Sequence, residues 1–571
     1  MVFDGTICWC LQRSPSWFAS RRFRADAVVW FSLGVSLLAA SANAQNRVNV
    51  TVDLSKPVNI LTDTSLGVAA PTFDGNSFHP AGAPFLRAAG ITTVRYPGNH
   101  GVADLYHWST KTTTKYKAAG VAYFAPESNF ASFAQYAEKV GQAVIVVNYG
   151  ANLDGSGGGE PAEAAAWVAY ANGDAADTRA LGKDSTGEDW HTVGFWAALR
   201  GQEAQAQDDG FNFLRIHHPK PFGFKLWQIG DEVYNNGYYF SVAPGQHDAN
   251  YAGEHTGNAD LHTEPPATIK DFARLKGDPK LSPAAYAENV KLFAKAMKTV
   301  DPAIQIGAAF VTPLDHEKAD WEVPPWAPDW NSKILKSACG SIDFVAMEWL
   351  TGGTLAPDYK ILDAEEALAK NSFHIGEIIQ KLLSDYKRDC PGDHVPKISF
   401  APAAFLSWPK IENPAMTALW IADTYGLLIE SGTANITWAE TYSDAMMSAD
   451  RKKFGPAYYG FQMLHILARN PGDAFVDASS HTPVVSVHAT KRRDGYLGLM
   501  LVNKDPKVAA VVKVTFKGGS VGAAGKRFEY GSTQVAAGAP LSQAPFTEGA
   551  EEFSITVPPY SITDVLLPDH K

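Results

Sequence analysis

Between residues 66 and 438, eight short apolar runs alternate with stretches whose apolar residues recur at three-and-four spacing. The runs are Leu66 to Ala69, Thr92 to Tyr96, Ala143 to Tyr149, Phe224 to Ile229, Ile304 to Phe310, Ile342 to Met347, Ile398 to Phe400 and Ala434 to Trp438. The intervening stretches include Phe130-Phe133-Tyr136-Ala137-Val140 and Pro283-Tyr286-Val290-Phe293-Ala294-Met297. Continuous apolar runs of this length are what strands buried on both faces require, and the three-and-four spacing marks helices with one buried stripe. Eight β-then-α units predict an α/β fold, a (β/α)₈ TIM barrel. A doubly wound open sheet is the rival, but it wants a Gly-rich phosphate turn after its first strand. Gly155 to Gly159 follows the third run without the GxGxxG pattern and reads as a flexible loop.

The pattern changes near residue 470. Val484 to Ala489, Tyr496 to Val502, Val508 to Phe516, Arg527 to Tyr530 and Phe553 to Val557 are strand-like segments separated by Gly, Asp, Pro and Ser turns. They predict a C-terminal all-β sandwich over 471–571. Residues 47–54 alternate polar and apolar, so 45–60 is expected to add a strand to that sandwich, leaving 61–470 for the barrel.

Residues 1–44 read as a signal peptide. Arg21, Arg22 and Arg24 precede the apolar run Ala27 to Ala40, and Ser41-Ala42-Asn43-Ala44 offers a small-x-small cleavage site. A membrane anchor is the alternative, but the run falls short of the roughly 20 apolar residues that a span needs. The expectation is a secreted or periplasmic protein, cleaved near Ala44 and without a membrane partner thereafter. Removal of Cys8 and Cys10 leaves Cys339 and Cys390, each just before a predicted strand. In an exported protein they suggest a disulfide, with buried thiols as the alternative; two cysteines give no metal-site spacing. A net charge of −11 disfavours nucleic acid, and 15 Trp with 21 Tyr suit either a core or sugar stacking.

The fourth run breaks into Gly230-Asp231-Glu232, and acidic groups at the C-terminal end of a barrel strand are where catalysis is kept. Arg95, Asp104, Asn148, Trp349 and Trp438 lie at or just after other strand ends. They are candidates, with Asp231, for holding sugar hydroxyls, or else structural anchors under the loops. His217-His218 precede the fourth strand and read as structural; Asp315-His316 is too short a signal for a metal site.

Arg95-Tyr96-Pro97-Gly98-Asn99, Val147-Asn148-Tyr149-Gly150 and Trp227-Gln228-Ile229-Gly230-Asp231-Glu232 together resemble the α-L-arabinofuranosidases of glycoside hydrolase family 51 and their clan A relatives, including family 39. The likeness extends to Val557-Pro558-Pro559-Tyr560 near the C-terminus. It implies a glycoside hydrolase without a cofactor, acting on a polysaccharide or oligosaccharide, with an acid/base Glu after the fourth strand and a nucleophile Glu after the seventh. Glu232 matches the first, although Asp231 replaces the Asn that precedes it in relatives. The second is missing: the seventh strand reads Ile398-Ser399-Phe400-Ala401-Pro402-Ala403-Ala404, and the next carboxylate is Glu412. Glu348, at the end of the sixth strand, and Glu440, after the eighth, are the candidate replacements. Glu348 ranks first because its strand adjoins the seventh, against a reading in which it pairs with a base such as Arg95. The alternatives for the whole chain are a catalytically silent polysaccharide-binding protein and a sugar enzyme of another reaction type, such as elimination. Sugar and linkage, endo or exo action, stereochemical outcome and oligomeric state are not legible.

Overall fold

The computed structural model describes residues 46–570 except 71, 73–74, 76, 99–102, 114–123, 151, 154–157, 232, 236–282, 314–328, 352–363, 393, 405–412, 439–445 and 448–451. Eight parallel strands close into a barrel: Gly67–Ala69, Thr93–Tyr96, Gln142–Val147, Leu226–Ile229, Gln305–Phe310, Phe344–Thr351, Lys397–Ala404 and Thr433–Trp438. Each overlaps one of the eight apolar runs, and the eighth pairs with the first, Thr437 beside Gly67 and Trp438 beside Val68. The expected TIM barrel is therefore the fold.

The alternation of each strand sorts its residues between the barrel interior and the surrounding helices. On the second strand Tyr96 stacks on Phe133 of helix Phe130–Val140, their ring centroids 4.4 Å apart. On the fourth, Trp227 meets Trp167 of helix Pro161–Asn172 edge to face at 6.2 Å. The polar neighbours Arg95 and Gln228 consequently line the barrel interior. Across the bottom of the barrel, Cys339 and Cys390 are joined in a disulfide with their Cα atoms 5.6 Å apart. It links the segments that enter the sixth and seventh strands. Closing a loop between residues 51 apart in sequence removes chain entropy from the unfolded state.

Tyr106–His107 pairs with Thr112–Thr113 in a small two-stranded sheet, and the other ten strands form a separate sheet that curls around its own apolar core. Strand Asn46–Ile60 is an interior strand of it, antiparallel to Ala474–Ser480 and parallel to Ala510–Lys517, so the two ends of the described chain meet in one sheet. Its alternating Val48, Val50, Val52 and Leu54 face the second core. The strands Ala474–Ser480, Ser520–Val521, Ser542–Phe546 and Ser561–His570 complete the segments that the sequence marks.

Charge is buried along the seam between sheet and barrel. Helix Ala415–Glu430 presents Asp423, Gly426 and Glu430 on one face. His488 of strand Val485–Lys491 enters there, with Nδ1 2.9 Å from Glu430 Oε1 and Nε2 3.3 Å from Asp423 Oδ1. Lys504 Nζ is 2.7 Å from the other Asp423 oxygen. Gly426 is what admits the ring, since a Cβ there would stand 2.6 Å from the imidazole. Burial alone would lower the His488 pKa, but Glu430 and Asp423 push it up to about 10, so the imidazole is charged at neutral pH.

Candidate active site

Arg95 is the centre of the site. Its guanidinium is 4% exposed and reaches two carboxyl groups on different strands. One amino group donates to Asp231 Oδ1, and the other lies 3.5 Å from Glu348 Oε1. Gln228 fastens the same corner, donating through Nε2 to Asp231 Oδ1 at 3.3 Å and to the Gly230 carbonyl at 2.9 Å.

Gly230 explains how Asp231 comes to face Arg95. Its φ of +68° turns the chain sharply at the end of the fourth strand, a conformation that side-chain-bearing residues rarely adopt. A Cβ at that position would also lie 2.4 Å from Val233 Cγ1 and 2.9 Å from Tyr149 Cβ. The turn leaves the Asp231 N–H donating to Asp104 Oδ2 at 3.0 Å, while the Tyr149 N–H donates to Asp104 Oδ1 at 3.2 Å. One buried carboxyl thus ties the loops after the third and fourth strands together. Burial, and then the negative charge of Asp231, push the Asp104 pKa up to about 8 against the opposing effect of those donors and of Arg95.

The sixth strand contributes Glu348, whose side chain is 7% exposed. Its backbone carbonyl accepts the Thr312 hydroxyl, which joins the end of the fifth strand to the sixth. In register beside Glu348 on the seventh strand is Ala401, and beside Trp349 is Pro402. Glu348, Asp231, Arg95 and Gln228 line a small cleft closed on the seventh-strand side by Ser399 and Ala401. The position level with Glu348 therefore carries a methyl group where a larger side chain would compete for the same space.

Of the candidates read from the sequence, Arg95, Asp104, Asp231 and Glu348 are brought together. Asn148 is buried, its side-chain amide donating to the Tyr106 carbonyl at 3.3 Å. Trp438 is fully buried, with its ring 6.2 Å from Phe461 of the outer helix Pro456–Leu467, and does not line the cleft. Glu232, Glu440, the Trp349 side chain and Asp315-His316 lie outside the described residues. His218 stacks on Phe222 and sits 3.0 Å from Glu138, away from the cleft. Gln228, Ser399 and Tyr286 escaped sequence reading. Tyr286 donates to the Ile229 carbonyl at 2.7 Å and accepts from the Ala309 N–H at 2.8 Å, bracing the fourth strand against the fifth. A polar residue between Trp227 and Ile229 was the available signal for Gln228, because period-two alternation sends it inward.

Chemically the cleft offers carboxyl groups around one guanidinium, all largely withdrawn from water. Such a set can hold hydroxyls, stabilise a developing positive charge or attack a carbon.

No known family model matches the chain, and no curated protein sequence does. Solved structures do. The α-L-arabinofuranosidase from Thermotoga maritima aligns with a TM-score of 0.60 at 16% identity, covering 91% of this chain and all of the other. A family 51 α-L-arabinofuranosidase from Bifidobacterium longum gives 0.61 at 15% identity, covering 91% of this chain and 99% of its own. A family 44 xyloglucanase from Paenibacillus polymyxa gives 0.56 at 12%, covering 92% of this chain and 100% of its own. At these identities the likeness establishes the fold: a barrel with an appended β-domain, shared along nearly the whole described chain with glycoside hydrolases.

Proposed function

We propose that the protein is an exported glycoside hydrolase that cleaves a glycosidic bond in a plant or microbial polysaccharide, with Glu232 as general acid/base and Glu348 as the second carboxylate. The observation that carries this reading is the placement of Glu348. It stands in the C-terminal half of a barrel strand, in a cleft shared with Asp231, one residue before Glu232, and level with a seventh-strand alanine that leaves it room. The similarity in fold to arabinofuranosidases and a xyloglucanase supports the substrate class.

Glycosidic cleavage needs a protonated group to assist the leaving oxygen and an anion to meet the oxocarbenium-like transition state. The Arg95 guanidinium, 3.5 Å from Glu348, is placed to pair with it. As a nucleophile Glu348 would give retention, and as a base acting through water it would give inversion. The separation from Glu232 discriminates, about 5–5.5 Å for the first and roughly 6.5–9.5 Å for the second.

Sugar release from arabinans, xylans and β-glucans is the test, comparing the mature protein with Glu232→Gln and Glu348→Gln. Loss of product in both is expected. Activity retained in Glu348→Gln would transfer the second role to Glu440 or elsewhere, and activity retained in Glu232→Gln would end the acid assignment. Binding without product from any glycan would mark a silent polysaccharide-binding protein, and an unsaturated sugar product would mark elimination.

A further inference from the structure

Away from the barrel mouth, the outer face of the β-domain carries a groove that the cleavage chemistry does not use. Its floor is strand Ser561–His570, where Leu566 and Pro568 point outward while Val565 and Leu567 fill the second core. On one side Tyr496 pairs in register with Pro568, and on the other Lys526 pairs with Leu566. Register partners in an antiparallel sheet share a face, so Tyr496 and Lys526 flank the floor from strands two spacings, about 10 Å, apart. Arg469, just past helix Pro456–Leu467, closes the rim.

The polar groups divide into two kinds. Arg492 is committed: it donates through Nε to Asp494 Oδ1 at 3.0 Å and through Nη1 to the Ile466 carbonyl at 2.7 Å. Its guanidinium carbon lies 6.0 Å from the centre of the Tyr496 ring, steadying an aromatic side chain that is 40% exposed. Arg469 and Lys526 are exposed, and among the described residues neither forms an ion pair with a carboxylate. On a chain of net charge −11, a groove with two such cations is the reverse of the average surface.

We infer that this groove binds an acidic polysaccharide, one bearing uronic acid residues, as a surface site separate from the cleft. Strands about 10 Å apart leave room for a pyranose residue with its substituents between Tyr496 and Lys526. Its C–H face suits the tyrosine ring and the Leu566–Pro568 floor, and its carboxylate suits Arg469 and Lys526. A small phosphate would use the cations alone and leave the apolar floor unmatched.

The inference depends on the glycan-active reading above only for its choice of ligand class, and the experiment keeps the two apart. The mature protein is run in affinity gels containing polygalacturonate, neutral arabinan or polyphosphate. Retardation by polygalacturonate alone is expected, with Kd raised at least about tenfold in Tyr496→Ala and again in Lys526→Glu. Glu348→Gln should bind like the parent, whether or not it has lost hydrolysis. Tyr496→Ala should cleave a small soluble glycoside at the parent rate, which also reports that it is folded. No retardation of the parent, equal retardation of Tyr496→Ala, or equal binding of polyphosphate would overturn the site.

Discussion

Among the described residues at the open end of the barrel, Arg95 pairs with Asp231 and Glu348, and Asp104 accepts the backbone N–H of Asp231 beside them. Along the seam, two cations, His488 and Lys504, face Asp423 and Glu430 between a helix and a sheet. Both clusters are buried, and burying a charge is costly unless it is paired. The seam answers that cost by approximate balance, with each imidazole nitrogen meeting a carboxylate. Among the described residues the cleft sets more carboxyl groups than cations together, and it holds Asp104 proton-bound near neutral pH. An unbalanced cluster is costly for stability, and buried titratable groups set together in a cleft are a mark of chemical sites.

The comparison can be broken by substitution. Glu348→Gln should lower turnover on the order of 10³-fold while leaving the melting temperature nearly unchanged, because it relieves the excess of acid groups. A large loss of stability instead would place Glu348 in the scaffold. Arg95→Met strands the carboxyl groups it serves and should cost about 3–5 kcal/mol in denaturant unfolding, and His488→Leu at the seam should cost a similar amount. If either proves neutral, the corresponding cluster is not held by its cation. Replacing Cys339 and Cys390 together by Ser should cost about 2–4 kcal/mol without altering KM, since the bridge lies at the end of the barrel remote from the cleft. Gly426→Ala should cost about 1–3 kcal/mol by forcing the His488 ring from its socket.

The pH windows of the two clusters also differ. The Asp104 pKa is raised from 3.8 to about 8, so the folded protein holds that proton where the unfolded chain does not; its contribution is full at low pH and declines as pH rises to about 8. For His488 the shift runs from 6.5 to about 10, so the seam's contribution is full below 6.5 and is lost as pH rises through about 10. Unfolding midpoints measured from pH 5 to 11 should fall in two stages. The alkaline stage should vanish in His488→Leu.

The barrel was legible because its eight strands, buried on both faces, must be apolar along their length, and nothing else in the chain repeats that way. The sheet was partly legible: strands with a clean alternation were found, whereas Ser561–His570 was obscured by Asp564, a buried carboxyl within a strand whose pKa burial raises well above the ordinary value. Within the site, strand-end position singled out Arg95, Asp231 and Glu348, but position cannot tell which face a side chain takes. Trp438 occupies a strand end like the others and packs outward against Phe461.

What the sequence determined by itself is the periodicity, and with it the barrel, the appended sheet and the absence of a carboxylate along Ile398 to Ala404. Pairings between distant segments were left to the tertiary structure. Register set Ala401 beside Glu348, the φ of Gly230 aimed Asp231 at Arg95, and the close approach at Gly426 seated His488 between two carboxylates. Periodicity is a local property of neighbouring residues. These contacts exist only once barrel closure and sheet pairing bring together side chains that lie tens to hundreds of residues apart.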